Sequence, residues 1–312
     1  MSRPKILKQS SHADKIVFSI IGFIILVYSI SLLIPIFLTI NTSFLDAYDY
    51  IMKPAAIGSF KNFTNYVEAF NKIQYTVVNT KEGYQVTYKI PEMALFTIIL
   101  AVGTSFMNVF LPSLTAYATA KYEFRGKNLI FTIAVTTMII PIIGNLPSSL
   151  AVRDALGIYD NLIMHILVSG SGFGFNYILL YGAFKGLPND YGEAAQIDGA
   201  GHFKIMFKVY YPMLMPLFLS IFLLGFVGAW NDYMTTVVYL PSYPTLAYGV
   251  YYFQENAALF GVTEPVKQAG FIIMAIPTSI IWIVSQKFIS DKVTVGGLKG
   301  WEKEPNSNYA LA

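Results

Sequence analysis

IVFSIIGFIILVYSISLLIPIFLTINTSFL, residues 16–45, runs 30 positions without an Asp, Glu, Lys or Arg. A hydrocarbon core of about 30 Å is crossed by roughly 20 apolar residues in a helix, so this stretch can span a bilayer. Five further charge-free runs meet the same test: Met93–Ala120, Asn128–Val152, Asn161–Phe184, Val209–Asn231 and Gln268–Gln286. In lipid, every backbone N–H and C=O must find its partner within the protein, which leaves helices and closed barrels. Apolar residues do not alternate with period two, which argues against a barrel. The expected fold class is therefore all-α, a polytopic membrane protein with six transmembrane helices over 16–42, 93–120, 128–150, 161–184, 209–231 and 268–287.

Composition agrees. Of 312 residues, 55% are hydrophobic and 12% charged, against about 25% charged in soluble domains. Mean hydropathy is +0.53. The absence of cysteine excludes disulfides, iron–sulfur clusters, thiolate zinc sites and a thiol nucleophile together. A net charge of +3 is too small for a nucleic-acid binder.

The placement of charge orients the spans. With six spans and both termini cytoplasmic, the cytoplasmic segments hold Arg3, Lys5, Lys8, Lys15, Lys121, Arg125, Lys127, Lys185, Lys204, Lys208, Lys287, Lys292, Lys299 and Lys303, which is 14 of 21 basic residues. A seventh charge-free run, Tyr233–Gln254, contains Pro241, Pro244 and six tyrosines. Counting it as a span would move the last four lysines outside and lose the bias, so it reads as an external segment. The expected layout is a cytoplasmic tail over 1–15, a transmembrane domain over 16–300, external loops over 46–92 and 233–267, a cytoplasmic loop over 185–208, and a tail over 301–312. Basic residues before the first run resemble a signal peptide, but the run far exceeds the 7–15 residues of such a signal, and it reads as an uncleaved helix. Within the first external loop, Phe60–Phe70 is amphipathic, and Tyr75–Ile90 alternates Tyr, Val and Thr around Glu82-Gly83 as a short hairpin does.

Polar groups interrupt the spans at Asn108, His165, Asn176, Asn231 and, at a membrane edge, Asp232. Such groups either line a hydrophilic path or bond between helices. Asn108, Asn176, Asn231 and Tyr233 are the pathway candidates. Pro35, Pro112, Pro141, Pro147 and Pro277 imply bent helices. Ser169-Gly170-Ser171-Gly172 near His165 lacks the third, orienting group of a nucleophilic site, and small residues at that spacing let helices approach closely. His12, His165 and His202 fall in three segments without metal-ligand spacing.

No Gly-x-x-x-x-Gly-Lys-Ser/Thr loop exists: Gly126-Lys127 is followed by Asn128, and Lys121 stands where the first glycine belongs. Active transport would then draw on an ion gradient or on another subunit. Ion coupling usually leaves acidic residues within helices, and all six spans lack Asp and Glu. That weighs against a self-contained ion-coupled carrier and toward an external motor.

The cytoplasmic loop supplies a handle for one. Pro188 can open a helix, and Asp190 suits its positive N-terminal end. Helical spacing places Ala194, Ile197 and Ala200 on one side. Gly199 and Gly201 permit a sharp joint before a second short helix, His202–Val209. Glu193-Ala194-Ala195, three residues, Gly199, nine residues, then Val209-Tyr210-Tyr211-Pro212 resembles the EAA loop of ABC importer permeases, with Val209 and Tyr211 replacing the family's Ile and Leu. The wider Glu193–Gly201 phrase is similar to MalG-type permeases of carbohydrate importers. So are Ala116-Tyr117-Ala118 with Phe124–Lys127, Ile140-Pro141 with Pro147, Leu156–Asn161, Ala229–Tyr233, Gln286–Phe288 and Gly296–Gly300. The likeness covers about residues 60–300. It implies a MetI/MalG-like fold forming half of a sugar pathway, with a second permease subunit, an ATPase dimer that binds ATP and Mg, and an extracytoplasmic solute-binding protein. Glu193, Ala194, Ala195, Asp198, Gly199, Gly201 and Pro212 would couple to the ATPase, and 243–267 would reach the binding protein. No catalytic residue, metal or cofactor of its own is implied. An ABC permease for a peptide or polyamine is the nearest other reading.

Overall fold

The computed structural model describes residues 12–53, 56–60, 63–79, 83–139 and 144–297. Lys61, Asn62, Glu82, Ile140-Pro141, Leu298–Gly300, residues 1–11 of the N-terminal tail and the tail over 301–312 lie outside the described residues. Four described helices are long and apolar enough to cross a membrane: α1 (His12–Ser43), α4 (Ile90–Lys121), the His202–Trp230 run, and α14 (Glu264–Gly297). The apolar side chains of α1 are exposed along its length, as lipid-facing groups are.

Two compact units divide the chain, residues 1–72 with 253–273 and residues 73–252 with 274–312. In the first, two asparagines organise the end of α1. Asn41 donates to Ala56 O and accepts from Gly58 N, while Asn65 of α3 (Thr64–Lys72) donates to Ser43 O and Leu45 O. Phe44 packs its ring among Phe60, Phe63 and Tyr66. The short α2 (Ala47–Met52) follows α1, and Lys72 holds Glu68 and Phe260 O.

The second unit opens with a hairpin, β1 (Gln74–Asn79) against β2 (Tyr84–Lys89), antiparallel with Gln74 opposite Lys89 and Asn79 opposite Tyr84. These are the only strands among the described residues. Gly83 turns with φ +70°, a conformation that costs glycine little. The chain then enters α4 directly: Lys89 N donates to the Glu92 carboxylate, and Pro91 occupies the first turn, where its missing N–H is no loss.

α4 is the central helix, packed on α7 (Leu162–Ser169), α8 (Phe175–Gly186) and α11 (Tyr211–Trp230). Its C-terminal half lies against Tyr177, Leu180, Phe184, Tyr210, Leu214 and Phe218, all buried. Hydroxyls cross between helices at Ser113–Tyr211 (2.7 Å) and Thr119–Tyr177 (3.0 Å). Such bonds contribute on average about 0.6 kcal/mol each in a membrane protein. At the other end, Thr97 accepts from Leu246 N and so anchors α13 (Leu246–Glu255).

Two expected spans are interrupted rather than continuous. The 128–150 span is described as α5 (Lys127–Ile139) and α6 (Leu146–Ala155), with Gly144 at φ +72° in the non-helical backbone before α6 and Pro147 in its first turn. The 161–184 span becomes α7 and α8, with Gly170–Gly174 between them. Non-helical backbone at such depth must be satisfied by protein, and Gly172 O does accept from Thr115 Oγ1 of α4. Over 233–255 the structure has two short helices, α12 (Met234–Tyr239) and α13, and no spanning helix.

Candidate coupling loop and polar cavity

After α8 the chain turns through Leu187–Asn189 into α9 (Asp190–Ile197), whose first turn carries Asp190 and Glu193. Carboxylates there favour the helix dipole. Asn189 precedes α9 but does not cap it with its side chain. Its Oδ1 instead accepts from Lys121 Nζ at 2.9 Å, and the same ammonium donates to Leu187 O at 2.6 Å. Lys121 also sits 4.8 Å from the centre of the Tyr210 ring. Tyr210 OH reaches toward Pro188 O at 3.4 Å, and it lies so near Gly192 that a Cβ there would be 2.7 Å from the hydroxyl. On the far side of the loop, Tyr122 OH meets His202 Nδ1 at 3.0 Å. The flanks of α9 are thus tied to Lys121, the last residue of α4, and to Tyr122, which follows it.

α9 ends in a Schellman motif. Ala200 N donates to Ala195 O and Gly199 N to Gln196 O, with Gly199 at φ +75°. Gly201 has φ −70°, so the joint rests on Gly199 alone. Helical spacing had grouped Ala194, Ile197 and Ala200. Instead, Ala195 and Ala200 pack on the buried cluster, while Glu193, Ala194, Asp198 and Ile197 point outward. Ile197 is 87% exposed and Phe203 77%. The Schellman turn reverses the chain after Ile197, which carries Ala200 back toward the core. The expected His202–Val209 helix is α10 (His202–Ile205) followed by a π-helical turn, Met206–Tyr210, which merges into α11. Pro212 lies in the first turn of α11, just past the wide turn, where a proline with no N–H is accommodated.

Replacing Lys121 by Met is expected to loosen this loop without unfolding α4. Loss of two hydrogen bonds from a cation, one to a backbone carbonyl, costs about 1–3 kcal/mol. Amide exchange across 187–201 should therefore rise by roughly tenfold or more while 97–115 stays protected; equal protection of the loop in wild type and variant would refute the tie.

The pathway candidates separate. Asn108 lines a cavity of about 260 Å³ with Leu100, Thr104, His165, Ser169, Gly225, Gly228, Ala229, Asp232, Thr235 and Thr245. Asn176, Asn231 and Tyr233 are not in its lining. Asn176 donates to Asn108 O, a bond between helices; Asn231 donates to Val227 O within its own helix end; Tyr233 stacks on Tyr251 at 4.5 Å. Close by, Tyr248 joins Tyr75 edge-to-face at 4.8 Å, and burial followed by the Tyr75 hydroxyl pushes its phenol above the usual range. His165 and Asp232, polar groups noted in the sequence, are drawn into the cavity with Asn108. His165 Nδ1 meets the Arg153 guanidinium at 3.2 Å, Ser169 Oγ donates to Ile166 O, and Ser171 Oγ accepts from Phe173 N. These three groups are turned to different partners, which is not the geometry of a nucleophile and its base.

A helix bundle of this topology has known counterparts. Residues 108–295 match the family described as binding-protein-dependent transport system inner membrane component. The chain is 27% identical over 296 residues to the inner membrane ABC transporter permease protein YcjP of Escherichia coli (strain K12), covering 92% of this chain and 99% of that one. It is 27% identical over 277 residues to the maltodextrin transport system permease protein MalD of Streptococcus pneumoniae (strain ATCC BAA-255 / R6), covering 87% and 92%. Its fold is that of a chain in the crystal structure of a bacterial ABC transporter involved in the import of the acidic polysaccharide alginate, with TM-score 0.69, 24% identity, and coverage of 89% and 98%. With the family match extending over more than half of its length, this multi-pass membrane protein belongs to the inner membrane components of binding-protein-dependent transport systems.

Proposed function

We propose that the chain is the permease subunit of a carbohydrate ABC importer, supplying half of the translocation path and receiving the force of ATP hydrolysis through α9. The observation that carries this reading is the tied loop itself. Glu193, Ala194 and Ile197 face outward on a short helix whose other face is packed and whose flanks are fixed to α4. An exposed isoleucine beside a carboxylate fits a cleft that is apolar with a basic rim. Force applied there passes to α4, on which α7, α8 and α11 pack.

In this reading a second permease subunit completes the path, an ATPase dimer holds ATP and Mg, and an extracytoplasmic binding protein delivers the solute. Sugar as that solute is supported by the named substrates of several relatives, maltodextrin, galactooligosaccharides and arabinooligosaccharides among them. Reconstitution with the partner subunits in liposomes tests it. Binding protein loaded with an oligosaccharide should stimulate both ATP hydrolysis and uptake; stimulation by a peptide- or polyamine-loaded binding protein, with none by sugars, would overturn the carbohydrate assignment.

A further inference from the structure

The cavity beside Asn108 has no role in the coupling described above, and its chemistry is specific. We propose that it is a subsite within this subunit for a single uncharged, polyhydroxylated sugar residue of the transported chain; the inference rests on the carbohydrate reading. Its volume, about 260 Å³, falls just below the roughly 300–1,000 Å³ of pockets for drug-sized ligands, so it suits one ring rather than an oligosaccharide.

Its lining converges from four directions: Thr104 and Asn108 of α4, His165 and Ser169 of α7, Gly225 and Gly228 of α11, and the Asp232–Thr245 segment. Polar groups at this depth are retained where they face water, a partner or a substrate. Among the described residues, the Asn108 side-chain amide forms no hydrogen bond, so it offers both donor and acceptor. The Arg153 guanidinium can only donate, so His165 Nδ1 accepts and the proton lies on Nε2. That second nitrogen is the one left as a donor. The Asp232 carboxylate accepts from Thr235 N and Thr235 Oγ1, and a carboxylate has about four lone-pair sites, so two remain. A carboxylate, an amide and an imidazole N–H around one small space match the alternating donors and acceptors of vicinal hydroxyls.

Glycine makes the room. A Cβ at Gly228 would meet no atom within 4 Å, so a side chain there would extend into open space without displacing the fold.

The test uses the assembled transporter, made with Gly228→Leu and separately with Asn108→Ala, and co-purification of the ATPase reports that each variant is assembled. Uptake of radiolabelled oligosaccharide from the loaded binding protein is then followed against concentration. Gly228→Leu should lower the maximal rate at least about tenfold by filling the space, and Asn108→Ala should weaken apparent affinity by roughly tenfold, the scale of one lost hydrogen bond to a buried polar group. Should Gly228→Leu fail to assemble, Asn108→Ala alone decides. Wild-type uptake kinetics in an assembled variant would overturn the subsite and leave the permease assignment standing. A wild-type complex that transports no carbohydrate at all would overturn the carbohydrate reading itself.

Discussion

Gly199→Pro is expected to abolish coupled uptake while leaving the membrane helices intact. Gly199 has φ +75°, and proline fixes φ near −65°, so the turn cannot form around the new residue. The substitution also removes the Gly199 N–H that closes on Gln196 O, and with it the geometry that returns Ala200 N to Ala195 O. A cost near 3 kcal/mol lowers the population of the native loop by on the order of 100-fold. α9 would then swing free of the Ala200 anchor and present Glu193 and Ile197 at random. In proteoliposomes the expected result is hydrolysis that no longer responds to the loaded binding protein, with sugar uptake below about a tenth of wild type. Glu193→Lys leaves the loop's own bonds alone, because only its backbone is engaged there. It should reduce uptake through charge at the docking face, and added salt should partly relieve it. Normal coupling in both variants would remove α9 from the path of force.

Much of this arrangement was legible beforehand, because it depends on residue types at fixed spacing. Charge-free runs mark the long helices, and Tyr75–Ile90 alternates as its hairpin requires. Gly199 is the αL residue that a helix end of this kind demands. What escaped the sequence depends on neighbours far along the chain. Asn108 and Asn176 look alike in an apolar run, yet one donates to the other's carbonyl and only one lines the cavity. The inward alanines are Ala195 and Ala200, because the Schellman turn, not the helical period, decides where residue 200 points. Lys121 reads as an ordinary membrane-edge cation; its partners, Leu187 and Asn189, lie 66 and 68 residues away. The break after α7 is hidden for a related reason. Hydropathy registers that 161–184 is apolar, but not that Thr115 stands ready to satisfy Gly172 O once the helix opens.

That break leaves Gly170 with no room for a side chain. A Cβ there would stand 2.6 Å from Met107 O and 2.9 Å from Met107 C, both backbone atoms of α4, with Leu111 Cδ1 at 3.0 Å. A flexible side chain can rotate away, but a helix backbone locked by its own hydrogen bonds cannot. Gly170→Leu must therefore push α7 from α4, which separates His165 from the cavity wall and draws Gly172 O from Thr115. Overpacking alone costs about 1–3 kcal/mol, and the orphaned carbonyl adds about 1–3 kcal/mol more. Together these approach the whole stability of many domains, about 5–15 kcal/mol. Little folded protein should be recovered from membranes, and the remainder should melt at lower temperature in detergent. Gly182→Ala supplies the contrast, since Gly182 is exposed on α8 and a Cβ there meets nothing within 4 Å. Alanine is favoured over glycine in a helix by about 1 kcal/mol, so that variant should be at least as stable as wild type. If Gly170→Leu and Gly182→Ala gave equal yields and melting temperatures, the close approach of α7 to α4 would not be what holds this half of the bundle together.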